Sequence, residues 1–267
     1  MPTHVPGVPG LLRTSGDFAV KLAAAELSED SVASSQAIVE FVARLGCIGG
    51  DHLANWLSRN RSQDLFGSSD DAHAVIKRLV VSGYLEARPV VVETARVVGT
   101  KNPPAALAKR LKDTRFLKRQ FTYAFSVTKK AALDHNLPLP PTTRENFINH
   151  HFKTVEACFR AELELKARGY RVRSMTAESQ LIKENFKGQI FNGQQNIVPK
   201  FPDAMMEVEA PDGTTQHINV EYVSTKYTDE MIREKAAAFR GPTIWAVSTP
   251  KQVARVQRIT GANALLV

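Results

Sequence analysis

The sequence contains only two cysteines and no long apolar run, and these absences exclude several classes of protein. Cys47 and Cys158 are too few for a disulfide scaffold and too isolated for a zinc site, so we expect buried thiols in a reducing cytosol. No apolar stretch approaches the roughly 18–20 residues that span a bilayer. The Pro- and Gly-containing N-terminus lacks the pattern of a secretion signal. We therefore expect a cytoplasmic protein without a membrane partner.

Motifs of the common enzyme classes are also missing. The sequence shows no glycine-rich phosphate loop, no nucleophile elbow and no Ser-His-Asp signature. His150 and His151 are adjacent, but no third metal ligand stands at a fitting spacing, so we interpret them as the start of a helix.

The sequence does contain a local excess of positive charge. The 267-residue chain has a net charge of +8. Between residues 96 and 130, which we call the basic segment, ten basic residues stand against one acid, Asp113, for a net charge of +9. This concentration favours a polyanionic partner, although a solvated helix face is the alternative. We expect phosphate contacts from basic residues of this segment, namely Lys101, Lys109, Arg110, Lys112, Arg115, Lys118 and Arg119.

Three short helices followed by two strands are predicted for the first half of the chain. The first helix has a capping serine at Ser34 or Ser35, and Gly46 can end it. In the third helix, Ser69 is the expected cap, Gly83 ends the helix, and four residues are expected to face inward: Ala74, Ile76, Leu79 and Val80. β-Branched runs on either side of the basic segment predict the two strands.

This order resembles a winged helix-turn-helix, most strongly in "AVIKRLVVSGYLE". The resemblance implies that the third helix enters the DNA major groove and that the wing touches the backbone or the minor groove. The basic segment falls between the two wing strands and resembles an enlarged wing. We assign residues 1–33 to a flexible tail or leading helix and residues 34–135 to this domain. The resemblance implies DNA contacts by the exposed positions of the third helix, namely Ser68, Ser69, His73, Lys77 and Arg78.

Three prolines within residues 135–146 mark a domain boundary. Residues 146–267 then show the order helix, three strands, helix, strand, helix, which is typical of an α/β sandwich, and the whole chain is predicted to be α+β. The polar run "NFKGQIFNGQQNIVPK" is predicted to be a surface loop. The first helix of this domain has apolar residues expected to face inward, namely Phe147, Phe152, Val155, Phe159, Leu163 and Leu165.

A Pro-Asp pair before one strand and a glutamate in the next make this domain resemble the PD-(D/E)XK nuclease fold. The resemblance implies that Asp203 and Glu221 hold Mg²⁺ in an active member, with a lysine beside them. Glu162 or Glu164 could match the helix glutamate of that fold.

The lysine expected two residues after Glu221 is replaced by Val223. By strict alternation along a strand, Lys226 would point away from the face of Glu221. Lys235, on the next helix, is the better substitute, because the lysine sometimes migrates there in this fold family. The helix would have to lean over the carboxylates for its amine to reach them.

The chain also resembles the replication-relaxation family of plasmid and integrative-element proteins. The resemblance rests on the winged helix, "NHHFKTVEACFRAEL", the Pro-Asp strand, "VEYVSTKYTDEMIREKAAAF" and the closing helix. Glu221, Thr225 and Lys235 match the pattern of that family, whereas Val223 stands where it has an acidic residue. The resemblance implies a role in replication, mobilisation or transcription control of a mobile element and does not imply catalysis.

We therefore predict a double-stranded DNA-binding protein of a plasmid or other mobile element, with a non-catalytic nuclease-like domain and no cofactor. One alternative is a Mg²⁺-dependent endonuclease with Asp203 and Glu221 as metal ligands and Asp203, Glu221 and Lys235 as catalytic residues. Another is a protein-interaction module whose basic wing binds an acidic partner. Further expected partners are a second copy of the chain and other replication or conjugation proteins.

Overall fold

The computed structural model describes residues 29–59, 72–93, 119–137, 145–185 and 200–267. Helices and sheets are both present, so the predicted α+β class is confirmed. The chain divides into two compact units, Met1–Asn149 and His150–Val267, and the boundary falls within a helix. In the ranges just given, no helix is long and apolar enough to cross a membrane.

The first unit contains helices whose apolar faces form its core. Its helices are α1 (Glu29–Leu45), α2 (Gly50–Arg59), α3 (Ala72–Val81) and α4 (Lys129–Asp134). Side chains from the first three are at most 2% exposed, namely Ile38, Val42, Leu53, Leu57, Ile76 and Leu79. Burial of apolar side chains at helical spacing is what holds such short helices in place.

Two details of the predicted helices were wrong. Because α1 begins at Glu29, Ser34 and Ser35 lie inside it and neither is its cap. Ala74 is exposed and Val75 is buried, since the buried stripe of α3 runs through positions 75, 76 and 79. Gly83 ends α3 as predicted, with a positive φ of 75° that other residues rarely adopt. The predicted cap Ser69 lies outside the described residues.

A three-stranded antiparallel sheet completes the first unit. Its strands are β1 (Ile48–Gly49), β2 (Leu85–Glu93) and β3 (Arg119–Val127), in the order β1-β3-β2. Glu93 lies opposite Arg119 in the β2–β3 pairing, so β2 ends and β3 begins side by side at one end of the sheet. The two-residue β1 was not predicted, because it is too short to show a period.

The second unit is built on a five-stranded mixed sheet. Its strands are β4 (Arg171–Ala177), β5 (Ala204–Glu209), β6 (Thr215–Tyr222), β7 (Thr243–Val247) and β8 (Ala264–Leu266). The strands lie side by side in the sheet in the same order as in the chain. Strands β4, β5 and β6 pair antiparallel, whereas β6, β7 and β8 pair parallel. The accompanying helices are α5 (Glu145–Ala167), which contains the boundary between the units, α6 (Glu178–Asn185), α7 (Asp229–Ala238) and α8 (Pro250–Thr260).

The apolar face of α5 is narrower than predicted. Phe152 and Phe159 are buried, but Phe147 and Leu163 are 57% and 49% exposed. The last two lie off the stripe that continues through small residues such as Cys158, which is fully buried. The polar helix α6 and the short β8 were not predicted. The predicted surface loop falls almost entirely at residues 186–199, outside the described residues.

Candidate functional site

Two buried carboxylates meet where β5 begins and β6 ends. Ala204 pairs with Val220 across these antiparallel strands, so Asp203 and Glu221 are neighbours. Asp203 is 7% exposed and Glu221 is fully buried. The Asp203 N–H donates to Glu221 Oε2 at 3.2 Å, and the Tyr222 N–H donates to Asp203 Oδ2 at 2.9 Å. The backbone of the hairpin therefore holds the two carboxylates, which we call the carboxylate pair.

Lys235 reaches the carboxylate pair from α7. Its Nζ lies 2.5 Å from Glu221 Oε1 and 3.8 Å from Asp203 Oδ1. The sequence predicted that the helix would have to lean over the site for this contact, and in the structure the ammonium reaches both carboxylates. Thr228 caps α7 by accepting from the Met231 N–H, which fixes where the helix begins.

The position where the nuclease pattern has lysine belongs to the core instead. Val223 is 1% exposed and packs in a cluster with Ile232, Trp245, Val247 and Val256. This cluster joins the end of β6 to α7, β7 and α8. Lys226 is exposed and makes no described contact with the carboxylate pair. Of the two candidate lysines, the structure brings only Lys235 to the carboxylates.

Two further residues complete the site and were missed in the sequence. The His150 Nε2 lies 2.8 Å from Asp203 Oδ2, and the Tyr227 hydroxyl donates to Glu221 Oε1 at 2.9 Å. Lys235 Nζ donates to the same hydroxyl at 3.2 Å. His150 was interpreted only as part of a helix start. Tyr227 stands in the connection before α7, where no periodic pattern marks a functional residue.

Neither glutamate proposed for α5 forms a described contact with the carboxylate pair. Glu162 is buried and pairs with Lys166 at 2.8 Å on its own helix, while Glu164 is exposed. His150 is the α5 side chain with a described contact to Asp203. The helix therefore contributes an imidazole where the nuclease resemblance implied a carboxylate.

Burial and mutual charge shift the titration of these groups. Burial and the nearby Asp203 carboxylate raise the pKa of Glu221 to about 7, although Lys235 opposes the shift. Burial alone would lower the pKa values of His150 and Lys235, but the carboxylates raise both above their ordinary values. Lys235 is consequently protonated at neutral pH and supplies the positive charge of the site.

This electrostatic arrangement predicts a loss of stability as the pH rises. The pKa of Glu221 is raised from 4.5 to about 7, so in that range the folded state binds more protons than the unfolded state, and the raised pKa of His150 acts in the same direction above its ordinary value of 6.5. The free energy of unfolding should fall across that window, with Glu221 contributing on the order of 2–3 kcal/mol.

Chemical denaturation at several pH values, compared between the wild type and Glu221→Gln, measures this effect. The glutamine variant cannot ionise at that position and should not show this fall. Its free energy of unfolding relative to that of the wild type should therefore increase with pH. A difference between the two proteins that stays constant from pH 4.5 to 8 would contradict the raised pKa of Glu221.

The structure describes only some of the residues that were predicted to contact DNA. Lys77 and Arg78 are half-buried on α3. His73 lies in α3 and Arg119 begins β3. The remaining predicted DNA contacts lie outside the described residues, namely Ser68, Ser69, Lys101, Lys109, Arg110, Lys112, Arg115 and Lys118.

No family model matches the chain, and no curated protein or solved structure matches it either. Among the side chains that the structure describes, no group of three or more His, Cys, Asp or Glu is arranged to hold a metal ion.

Proposed function

We propose that this protein binds double-stranded DNA of a plasmid or other mobile element and acts in its replication, mobilisation or transcription control. The observation that carries the proposal is the +9 charge of residues 96–130. The β2–β3 hairpin supports it, because Glu93 and Arg119 pair and bring both ends of residues 94–118 to one end of the sheet. A polycation attached there can neutralise several phosphates.

The arrangement around α3 supports the winged helix-turn-helix part of the proposal. Gly83 ends α3 and β2 begins two residues later. The Thr128 hydroxyl donates to the Gly83 carbonyl at 2.6 Å, and the Thr128 N–H donates to the Tyr84 carbonyl at 3.0 Å. These bonds link the end of β3 to the end of α3. A recognition helix and a wing built on them would therefore keep a fixed relative orientation while they contact DNA.

Titration of a labelled duplex at several salt concentrations tests DNA binding. We expect the logarithm of the binding constant to fall steeply with the logarithm of salt concentration, as counterions are released from neutralised phosphates. A protein that binds no duplex at about 50 mM salt, where such contacts are strong, would favour the alternative in which the basic segment contacts an acidic protein.

For the second unit, we propose a role in binding or assembly without DNA cleavage. Asp203 accepts hydrogen bonds from the Tyr222 N–H and from His150, and Glu221 accepts them from Lys235 and Tyr227. A buried carboxylate pair whose oxygens have such partners can join strands to helices without a metal. In this interpretation the nuclease-like unit keeps the architecture of the site and uses it structurally.

The position of Lys235 favours a second candidate function, a Mg²⁺-dependent endonuclease. Asp203 and Glu221 would hold the ion, and their donor set fits it, because Mg²⁺ is commonly bound by one or two carboxylates together with substrate phosphates and water. Bound Mg²⁺ would polarise a phosphate and activate water. Lys235, with its raised pKa, would stabilise negative charge and would not accept a proton at neutral pH.

Incubation of supercoiled plasmid DNA with Mg²⁺ or Mn²⁺ distinguishes the two candidates. We expect no nicking, because Glu221 is fully buried and its oxygens are already bonded to Lys235, Tyr227 and the Asp203 N–H. Asp203→Asn should leave duplex affinity unchanged or slightly higher, since it removes a negative charge near the phosphates. Metal-dependent nicking that disappears in both Asp203→Ala and Lys235→Ala would establish the endonuclease instead.

A further inference from the structure

A groove lies beside α8 at the carboxyl ends of the parallel strands β6 and β7. It has a volume of about 570 Å³, and no residue of the carboxylate pair lines it. Thr225 follows β6 and Thr249 follows β7, and both contribute to its wall. In open α/β sheets, ligands bind in the crevice outside the carboxyl ends of the strands. The groove is therefore placed where such a sheet can receive a ligand.

Three cations line this groove along one side of α8. Lys251, Arg255 and Arg258 are spaced by four and three residues, so they project from successive turns of the helix. One carboxylate, Asp229, pairs with both arginines, at 2.7 Å and 2.9 Å. Lys251 is exposed and forms no ion pair with any described residue. Three cations against one carboxylate leave the groove with an excess of two positive charges.

Arg255 is held in place before any ligand arrives. Its Nε donates to Asp229 Oδ1 at 2.7 Å, and its Nη2 donates to the Tyr227 carbonyl at 2.7 Å. A solvated basic stripe on a helix does not require such fixation or a concave surface beside it. A preorganised cation that lies between two more exposed ones is better suited to binding an anion, since less side-chain freedom is lost on binding.

The dimensions of the cationic stripe indicate more than one phosphate. From Lys251 to Arg258 the helix rises by about 10 Å, at about 1.5 Å for each residue. A single inorganic phosphate would contact only part of this length. Thr225 also lines the groove and is exposed, and its hydroxyl can donate to a phosphate oxygen, as such side chains often do in contacts with nucleic-acid backbones.

We propose that this groove binds consecutive phosphates of a nucleic-acid backbone and so provides a second DNA contact, separate from the basic segment. The inference rests on the proposed DNA-binding function and assigns part of that function to the second unit. Tyr227 connects the groove to the carboxylate pair, because its carbonyl accepts from Arg255 while its hydroxyl donates to Glu221. A nucleic-acid strand bound in the groove would contact Thr225, in the same segment between β6 and α7 that contains Tyr227.

The test compares two double variants of the full chain. Lys251→Ala with Arg258→Ala removes two groove cations but keeps the anchored Arg255. Arg168→Ala with Arg240→Ala removes two exposed cations of the same unit that do not line the groove. In fluorescence anisotropy with labelled duplex, the groove variant should lose roughly 10- to 60-fold in affinity at about 0.1 M salt, with a salt slope about 1–2 units shallower. The control variant should keep the wild-type slope.

Equal losses in the two double variants would overturn the groove as a site. Circular dichroism melting of both variants, and the single variant Lys251→Glu, separate loss of binding from loss of folding. Lys251 has no ion-pair partner among the described residues, so Lys251→Glu should fold normally and bind duplex even more weakly than Lys251→Ala.

Calorimetric titration with pyrophosphate and with ATP distinguishes a failure of the groove as a phosphate site from a failure of DNA binding by the whole protein. If the wild type binds no duplex but binds pyrophosphate, and the groove variant does not, DNA binding fails while the groove stands as a phosphate site. Tight ATP binding that is lost in the groove variant, with duplex affinity unaffected, would overturn the nucleic-acid backbone as the ligand. If the groove variant binds duplex, pyrophosphate and ATP as the wild type does, the groove is not a binding site.

Discussion

A variant with alanine in place of Lys109, Arg110 and Lys112 is expected to bind every duplex about 10²–10³-fold more weakly than the wild type at about 0.1 M salt. Each neutralised phosphate contributes close to 0.9 to the slope of log affinity against log salt, so three lost contacts should make that slope shallower by about 2–3 units. These residues belong to the basic segment, which carries +9 in a chain of +8. Anisotropy titrations at four or more salt concentrations measure both quantities.

The loss should be the same for duplexes of unrelated sequence, because contacts with phosphates position a protein without reading bases. A matched control removes three exposed cations of the second unit, Arg168, Arg171 and Arg240, and should change the slope much less. If the triple variant in the basic segment kept the wild-type slope, that segment would face solvent and the proposal of a DNA-binding wing would be wrong.

Replacement of Lys235 by alanine is expected to lower the free energy of unfolding by about 3–5 kcal/mol at about pH 8, where Glu221 is ionised in the wild type, the usual result of removing one partner of a buried ion pair. Glu221 is fully buried and Asp203 is 7% exposed, so neither carboxylate can recover its lost partner by hydration. The Tyr227 hydroxyl, which accepts from Lys235 at 3.2 Å, would also lose that donor. Chemical denaturation of both proteins measures the difference.

The pH dependence of this loss provides an internal check. Without the ammonium, the pKa of Glu221 should rise further above its value of about 7 in the wild type. Protonation then removes the uncompensated charge, so the destabilisation should be largest above pH 7 and should shrink as the pH falls below it. The double variant Lys235→Ala with Glu221→Gln should recover much of the lost stability, and a double-mutant cycle gives the coupling between the two residues.

Arg233→Ala is the matched control on the same helix. Arg233 is exposed and pairs with exposed Glu230 at 3.3 Å, so its removal should cost no more than about 0.5–1 kcal/mol. Should Lys235→Ala cost as little as this control, the ammonium would contribute nothing to holding the carboxylate pair, and the structural interpretation of the site would fail.

Local patterns in the sequence were enough to predict much of the second unit. The alternation and turn residues around Pro211 and Gly213 predicted the β5–β6 hairpin, and the hairpin register places Asp203 beside Glu221. The helical spacing before and after the apolar run at residues 243–247 predicted α7 and α8. Such elements are set by neighbours within a few residues, which is why the sequence suffices for them.

Local patterns did not predict correctly which face of each helix is buried. Phe147 and Leu163 fit an apolar stripe by type, yet both are exposed, because the tertiary packing of α5 selects a stripe that includes small residues such as Cys158. Helix α6 and strand β8 have too few apolar positions to show a period. Their formation depends on the sheet against which they lie.

The sequence by itself determined the α+β class, the hairpin that joins the two carboxylates and the charge of the basic segment, since each depends on residue type and short-range order. Only the tertiary structure decided which side chains surround Asp203 and Glu221. His150 comes from α5 and Lys235 from α7, and Val223 fills the core where a lysine was expected. Contacts between elements distant in sequence depend on how helices pack on the sheet, and no periodic pattern records that packing.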